Sequence, residues 1–180
     1  MRFPVKRPHV PNFDAVVREF SRVALETGKV AVRLFAEQET RRFKERIKTQ
    51  RFTSFVDVPL SPSYLQHKIN AGLDPRTMIS TGHYVRSIRV FQRNEPAYLK
   101  LRIGFHPRAQ ARTEDGKVAP IKLNLLAKVH EFGAETRNIP ARPHWRPHLA
   151  EMRRRATAMR QTIKTEILRR LARVIPGVHR

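Results

Sequence analysis

Two histidine-bearing stretches are the chain's best opening for chemistry: His130-Glu131 and, further on, His144-Trp145-Arg146-Pro147-His148. Imidazoles beside a carboxylate could ligate zinc or pass a proton near neutral pH. The spacing argues against both. There is no H-E-x-x-H, and Pro147 between His144 and His148 predicts a break in any helix that would align them as ligands. The plainer expectation is surface or capping histidines, with His130 bonded to backbone in a turn. No cysteine is present, which excludes thiolate nucleophiles, disulfides and cysteine-based zinc sites together. Serines occur without G-x-S-x-G, and no glycine-rich loop leads into Lys followed by Ser or Thr to hold phosphate. The acidic residues are scattered and make no carboxylate cluster for a metal-dependent nuclease. We therefore expect no enzyme, no cofactor and no metal.

Charge is the dominant compositional feature. Lys and Arg total 37 against 15 Asp and Glu, a formal net charge of +22. Self-repulsion of that size calls for a polyanionic partner or an acidic neighbouring surface. The candidate contacts are Arg2, Lys6 and Arg7 near the N-terminus and Arg153, Arg154, Arg160 and Lys164 on the last helix. As a DNA surface they would give phosphate contacts with steep salt dependence and little base preference. As a structural surface they would meet acidic patches on an adjacent protein. A length of 180 residues suits one domain. No apolar run approaches the roughly 20 residues of a membrane span, and the opening MRFPVKRPHVPNF lacks the apolar core of a secretory signal. The expectation is a soluble chain made in the cytoplasm, with no membrane partner.

The elements that must position these residues follow from periodicity. Residues 1–12, with three prolines, read as an extended basic arm. From Asn12 as cap, an apolar stripe through Phe20, Val23, Val30 and Leu34 predicts a long helix to about Lys48, with Gly28 costing roughly 1 kcal/mol relative to Ala. Phe52 to Val58 alternates enough to suggest a strand or an extended crossing piece. Ser61 or Ser63 with Pro62 starts a short helix that Gly72 stops, and Thr81-Gly82 opens another from His83 to Ser87. Two strands, Ser87 to Arg93 and Tyr98 to Phe105, flank the turn at Asn94-Glu95-Pro96. Residues 107–122 read as an exposed, mobile loop or flexible hairpin. Leu126, Val129 and Phe132 form a helical turn stopped by Gly133. Pro140 and Pro143 then hold Ile139 to Pro143 extended. That strut, with Trp145 and Arg146 behind it, is either a stiff loop docked on the core or a surface for another subunit. The last helix runs from about Leu149 to near Val174. The fold class is α+β: a long N-terminal helix, a small antiparallel sheet, short helices and a long C-terminal helix.

Three blocks in this order have a further meaning. They are Pro59 to Ile88 (PLSPSYLQHKINAGLDPRTMISTGHYVRSI), the strand ending Ile103-Gly104, and Val129 to Pro147 (VHEFGAETRNIPARPHWRP). Together they resemble the virion-morphogenesis, or tail-completion, family of tailed bacteriophages, of the kind found in Mu-like phages. The family's turns fall on Thr81-Gly82 with Ser87-Ile88, on His130 to Gly133, and on Ile139 to Pro143. The chain departs at His83-Tyr84, where a basic residue and leucine are more frequent, and at Trp145, where phenylalanine or leucine is usual. The resemblance covers roughly residues 55 to 150. It implies a structural virion protein of the phage neck or tail end, without catalysis, that assembles as a ring, expected to be a hexamer, and joins tail to DNA-filled head. Its implied partners are copies of itself, adjacent neck, connector or tail-terminator proteins, and DNA in the lumen. The implied interface is Ile139, Arg142, Trp145 and Arg146, with Thr81, Gly82, Gly133, Pro140 and Pro143 forming the turns. The alternative is a sequence-nonspecific DNA-binding protein that uses its basic helix and arm.

Overall fold

The computed structural model describes residues 13–94, 99–113 and 117–174, so Asn12 and the arm with Arg2, Lys6 and Arg7 lie outside the described residues. The class is α+β. Helix α1 (Phe13–Lys48) is followed by α2 (Thr53–Asp57), α3 (Pro62–Asn70) and α4 (His83–Ser87). Strands β1 (Arg89–Asn94) and β2 (Leu99–Gly104) pair antiparallel, and β3 (Gln110–Arg112) and β4 (Val118–Lys122) form a second antiparallel pair. Helix α5 (Leu123–Phe132), a 3-10 turn (Glu135–Arg137) and α6 (Trp145–Val174) complete the chain.

Helices α1 and α6 run antiparallel, since Phe43 meets Trp145 and His148 while Glu39, one turn earlier, meets Arg155, later in α6. The contiguous apolar core draws Phe43 and Ile47 from the end of α1, Phe52 and Phe55 around α2, Tyr84, Val85 and Ile88 from α4, and Leu123 and Ala127 from α5, with Trp145 packed against it. The core thus sits where α1 ends and α6 begins, and both helices extend beyond it. Gly28 lies within α1, and a methyl group there would meet nothing within 4 Å, so neither a bend nor a close helix contact requires it.

One expected element differs. Phe52 to Val58 is not a strand but carries the short helix α2, because Phe52 and Phe55, three residues apart, both bury against the core at a ring separation of 5.3 Å. One helical turn puts both rings on one face, whereas a strand would put them on opposite faces. The 107–122 stretch takes the hairpin alternative of its expectation, with β3 and β4 paired antiparallel and anchored by buried Ala111 and Ala119, whose small side chains let the pair lie against the core. Elsewhere the boundaries agree closely: Ser61 caps α3 through Tyr64 N–H at 3.3 Å, Pro62 opens the helix, and Gly72 follows its end at φ +66°.

Candidate functional site

The strut is tied back onto α5. Gly133 ends α5 at φ +77°, and a Cβ there would lie 2.9 Å from the Ile139 carbonyl oxygen and 3.0 Å from Ala141 N. Only glycine allows that approach. The Ala134 and Ile139 backbones exchange two hydrogen bonds of 2.8 and 3.1 Å, and Arg142 N–H donates to the His130 carbonyl at 2.6 Å. Prolines 140 and 143 hold the chain extended between these ties, and the Pro143 carbonyl accepts from Ser54 Oγ at 2.6 Å.

Glu131 makes the next link. It is buried at the end of α5, and its carboxylate caps α6 from outside that helix. Oε2 accepts the backbone N–H groups of His144 and Trp145, both at 2.9 Å, and Oε1 accepts that of Arg146 at 3.1 Å and Arg146 Nε at 2.9 Å. Pro147, next in line, has no N–H to satisfy, and His148 N–H reaches the His144 carbonyl at 3.3 Å. Every early donor of α6 is therefore partnered or missing, which is the requirement for burying a helix start. Pro147 lies in the first turn of α6 and does not break it, contrary to the sequence expectation, because a helix tolerates proline where the N–H would be unpaired. Burial pushes the Glu131 carboxyl up, but the three backbone donors and Arg146 outweigh it and hold the group below the usual carboxylate range.

Behind the cap runs a buried relay. The imidazole of His144, 0% exposed, has Nδ1 3.0 Å from the Arg142 carbonyl and Nε2 2.8 Å from the Tyr84 hydroxyl. A carbonyl only accepts, so Nδ1 carries the proton and Nε2 accepts from Tyr84 O–H. The same hydroxyl oxygen accepts Trp145 Nε1–H at 3.1 Å. Burial lowers the His144 pKa and keeps the ring neutral, and burial likewise raises that of Tyr84. Both ring nitrogens of His144 are thus occupied, which leaves the imidazole no lone pair for a metal or substrate.

A second polar lattice joins α1 to α6. Glu39, 0% exposed, is held by Arg155 through bonds of 2.9 and 2.6 Å and by Arg42 at 2.6 Å, and Glu151 pairs with Arg46 at 2.7 Å and Arg155 at 3.2 Å. His148 is buried beside it, its ring stacked on Phe43 with centroids 4.6 Å apart and its Nε2 3.8 Å from Glu39. Neither ring nitrogen has a hydrogen-bond partner, and burial pushes its pKa down to about 4 despite Glu39.

Of the expected interface residues, Ile139 is half-buried in the strut and Arg142 is only 6% exposed, its Nε and Nη2 donating to the carbonyls of Val58 at 2.7 Å and Pro59 at 2.8 Å. Trp145 is half-buried with its ring 4.3 Å from that of Phe43. Arg146 is exposed, bound to Glu131 and lying 4.9 Å over the Phe132 ring. Thus Arg142 and Trp145 make their main contacts within the chain, the docked-loop arrangement, and Arg146 and Phe132 are the outward part of this joint. Thr81 and Gly82 form the left-handed turn that opens α4 and delivers Tyr84 to the relay. Arg153, Arg154, Arg160 and Lys164 are all exposed on α6, and no acidic group among the described residues pairs with them. Sequence reasoning missed Glu131 and Glu39 as organisers; the signal for Glu131 was its place at the end of one helix, a proline strut away from the start of the next.

A cleft of about 950 Å³ opens between α3, the Thr81-Gly82 turn, β3, α5 and the strut. Among the described residues no three His, Asp or Glu side chains gather as a metal-binding group, and no helix is long and apolar enough to cross a membrane. The chain matches no family model, no curated protein and no solved structure.

Proposed function

We propose that this protein is a structural component of a tailed-phage neck or tail end, a tail-completion subunit that assembles as a ring joining tail to DNA-filled head. One observation carries the reading beyond the sequence blocks themselves. Two of the three blocks that bear the resemblance, separated in sequence, meet in one joint: Tyr84 bonds His144 and Trp145, Glu131 caps the helix that Trp145 opens, and Gly133 lies under Ile139. The turn residues on which the resemblance rests therefore form one physical unit in this chain, which supports reading them together rather than as chance tetrapeptides. No catalytic role enters this reading.

The second reading is a sequence-nonspecific DNA-binding protein. It is favoured by the exposed Arg153, Arg154, Arg160 and Lys164, which present charge along one rigid helix. Mass measurement at moderate salt, with DNA binding measured in parallel, separates the two. A defined closed oligomer, expected to be a hexamer, supports the ring. A strict monomer with tight, salt-sensitive DNA binding removes it in favour of the second reading. An oligomer without DNA affinity at physiological salt removes the second.

A further inference from the structure

We propose that the cleft between α3, α5 and the strut is a binding site for a largely apolar peptide segment of a partner protein that carries a carboxylate to Arg142. The argument starts from unmet groups. Arg142 is buried for the most part, no carboxylate among the described residues pairs with it, and Nε and Nη2 donate to backbone carbonyls, while Nη1 makes no hydrogen bond within the chain and keeps access to solvent at the cleft. A buried guanidinium with no counter-charge is costly unless something completes it. Burial alone already holds its pKa below the usual arginine value. Two further cleft residues are incomplete: His130 Nδ1 and Ser80 Oγ are both buried without a hydrogen-bond partner. Burial pushes His130 down to about 4, so at neutral pH it is an uncharged donor and acceptor. Glu135 also borders the cleft, but it is exposed and forms no ion pair with Arg142.

The remaining wall decides the class of ligand. Met78, Leu123, Leu126 and Ile139 give it a mainly apolar surface, and its volume falls within the range of about 300–1,000 Å³ usual for ligand sites. A phosphodiester backbone would need a row of exposed cations and would lose hydration against such a wall. Of the Lys and Arg residues lining the cleft, Lys68 and Arg142 are buried and Arg112 alone is exposed, which makes no such row. An extended peptide fits: apolar side chains against the wall, one Asp or Glu carboxylate on the Arg142 guanidinium as a charge-assisted bond, and His130 and Ser80 completing its backbone or second oxygen. This site is independent of ring assembly, since all its groups come from one chain.

Panning a display library of random short peptides over the purified full chain tests it. The expected result is enrichment of peptides with Asp or Glu flanked by aliphatic residues. In a selected peptide, replacing that acid by its amide should weaken binding by about tenfold or more, as loss of a charge-assisted bond predicts. His130→Ala should weaken binding while the thermal midpoint stays close to wild type, and bound peptide should shift the His130 imidazole signals in NMR spectra. The amide comparison is made on the wild-type protein, so it does not depend on any variant folding. Enrichment without acidic residues, no enrichment at all, or equal binding of the acid and amide peptides overturns the proposal.

Discussion

Replacing Glu131 by Gln tests whether one carboxylate from α5 sets the start of α6. In the native chain that carboxylate accepts three backbone N–H groups and Arg146 Nε at 2.9–3.1 Å while only 4% exposed. An amide keeps one acceptor oxygen and turns an N–H₂ toward the other two donors, so at least two bonds to a charged group are lost. Such bonds contribute about 1.5–3 kcal/mol each, and exposed Arg146 can recover part of its share from water, so the expected loss is about 2–3 kcal/mol for Gln and about 4 for Ala. Urea unfolding followed by helical circular dichroism reads it. The pH dependence gives a sharper discriminator. The folded-state pKa of Glu131 is depressed, so its stabilisation is present above the unfolded value of about 4.3 and is lost as pH falls through the folded value. Wild type and Glu131→Gln should therefore differ most near neutrality and converge in acid. Glu39, also depressed because Arg155 and Arg42 outweigh its burial, titrates in both proteins and cancels in the difference. A variant within about 0.5 kcal/mol of wild type at neutral pH, or two curves that stay parallel into acid, would refute the capping argument.

Gly133→Ala should cost more than about 2 kcal/mol, since it adds a left-handed penalty to a Cβ 2.9 Å from the Ile139 oxygen, while Gly28→Ala in open helix should gain up to about 1 kcal/mol; thermal midpoints of the pair check both signs. His130 and His148 have folded pKa values lowered to about 4, so stability should begin to fall as pH drops below the unfolded value of about 6.5 and continue down to about 4. His148→Phe, which keeps the stack on Phe43, should flatten part of that slope, as stability curves between pH 7 and 4 would show. A double-mutant cycle on Tyr84→Leu and Trp145→Phe should give a coupling of about 0.5–1.5 kcal/mol, because the pair shares one buried hydrogen bond of 3.1 Å; strict additivity would deny the link.

Much of the fold could be read from the chain because its local signals agree with its packing. The Ser61-Pro62 start, the glycine after α3 and the turn at Thr81-Gly82 each name their own backbone geometry, and β2 alternates as a half-buried strand should. What could not be read depends on contacts across long separations. Phe52 to Val58 looks like a strand until Phe43 is known to lie beside it. Pro147 looks like a helix breaker until Glu131 is known to supply the cap. Arg142 looks like an interface residue from its place in a rigid strut, yet its direction was set by the carbonyls of Val58 and Pro59, far away in sequence. In each case the missing information was a tertiary partner, which periodicity does not encode.

The same contacts join residues far apart in the sequence. Trp145 Nε1–H donates to the Tyr84 hydroxyl, which in turn donates to His144 Nε2, so the three side chains make one polar relay. That relay keeps the joint closed, and the joint fixes α6 at its first turn while Glu39 and Arg155 fix it against α1 one layer on. Arg153, Arg154, Arg160 and Lys164 consequently stand on a braced rod. A rigid basic face of this kind suits either a fixed array of phosphates or the acidic patches of a neighbouring subunit, and the steep fall of affinity with salt expected of phosphate contacts is what tells the two apart.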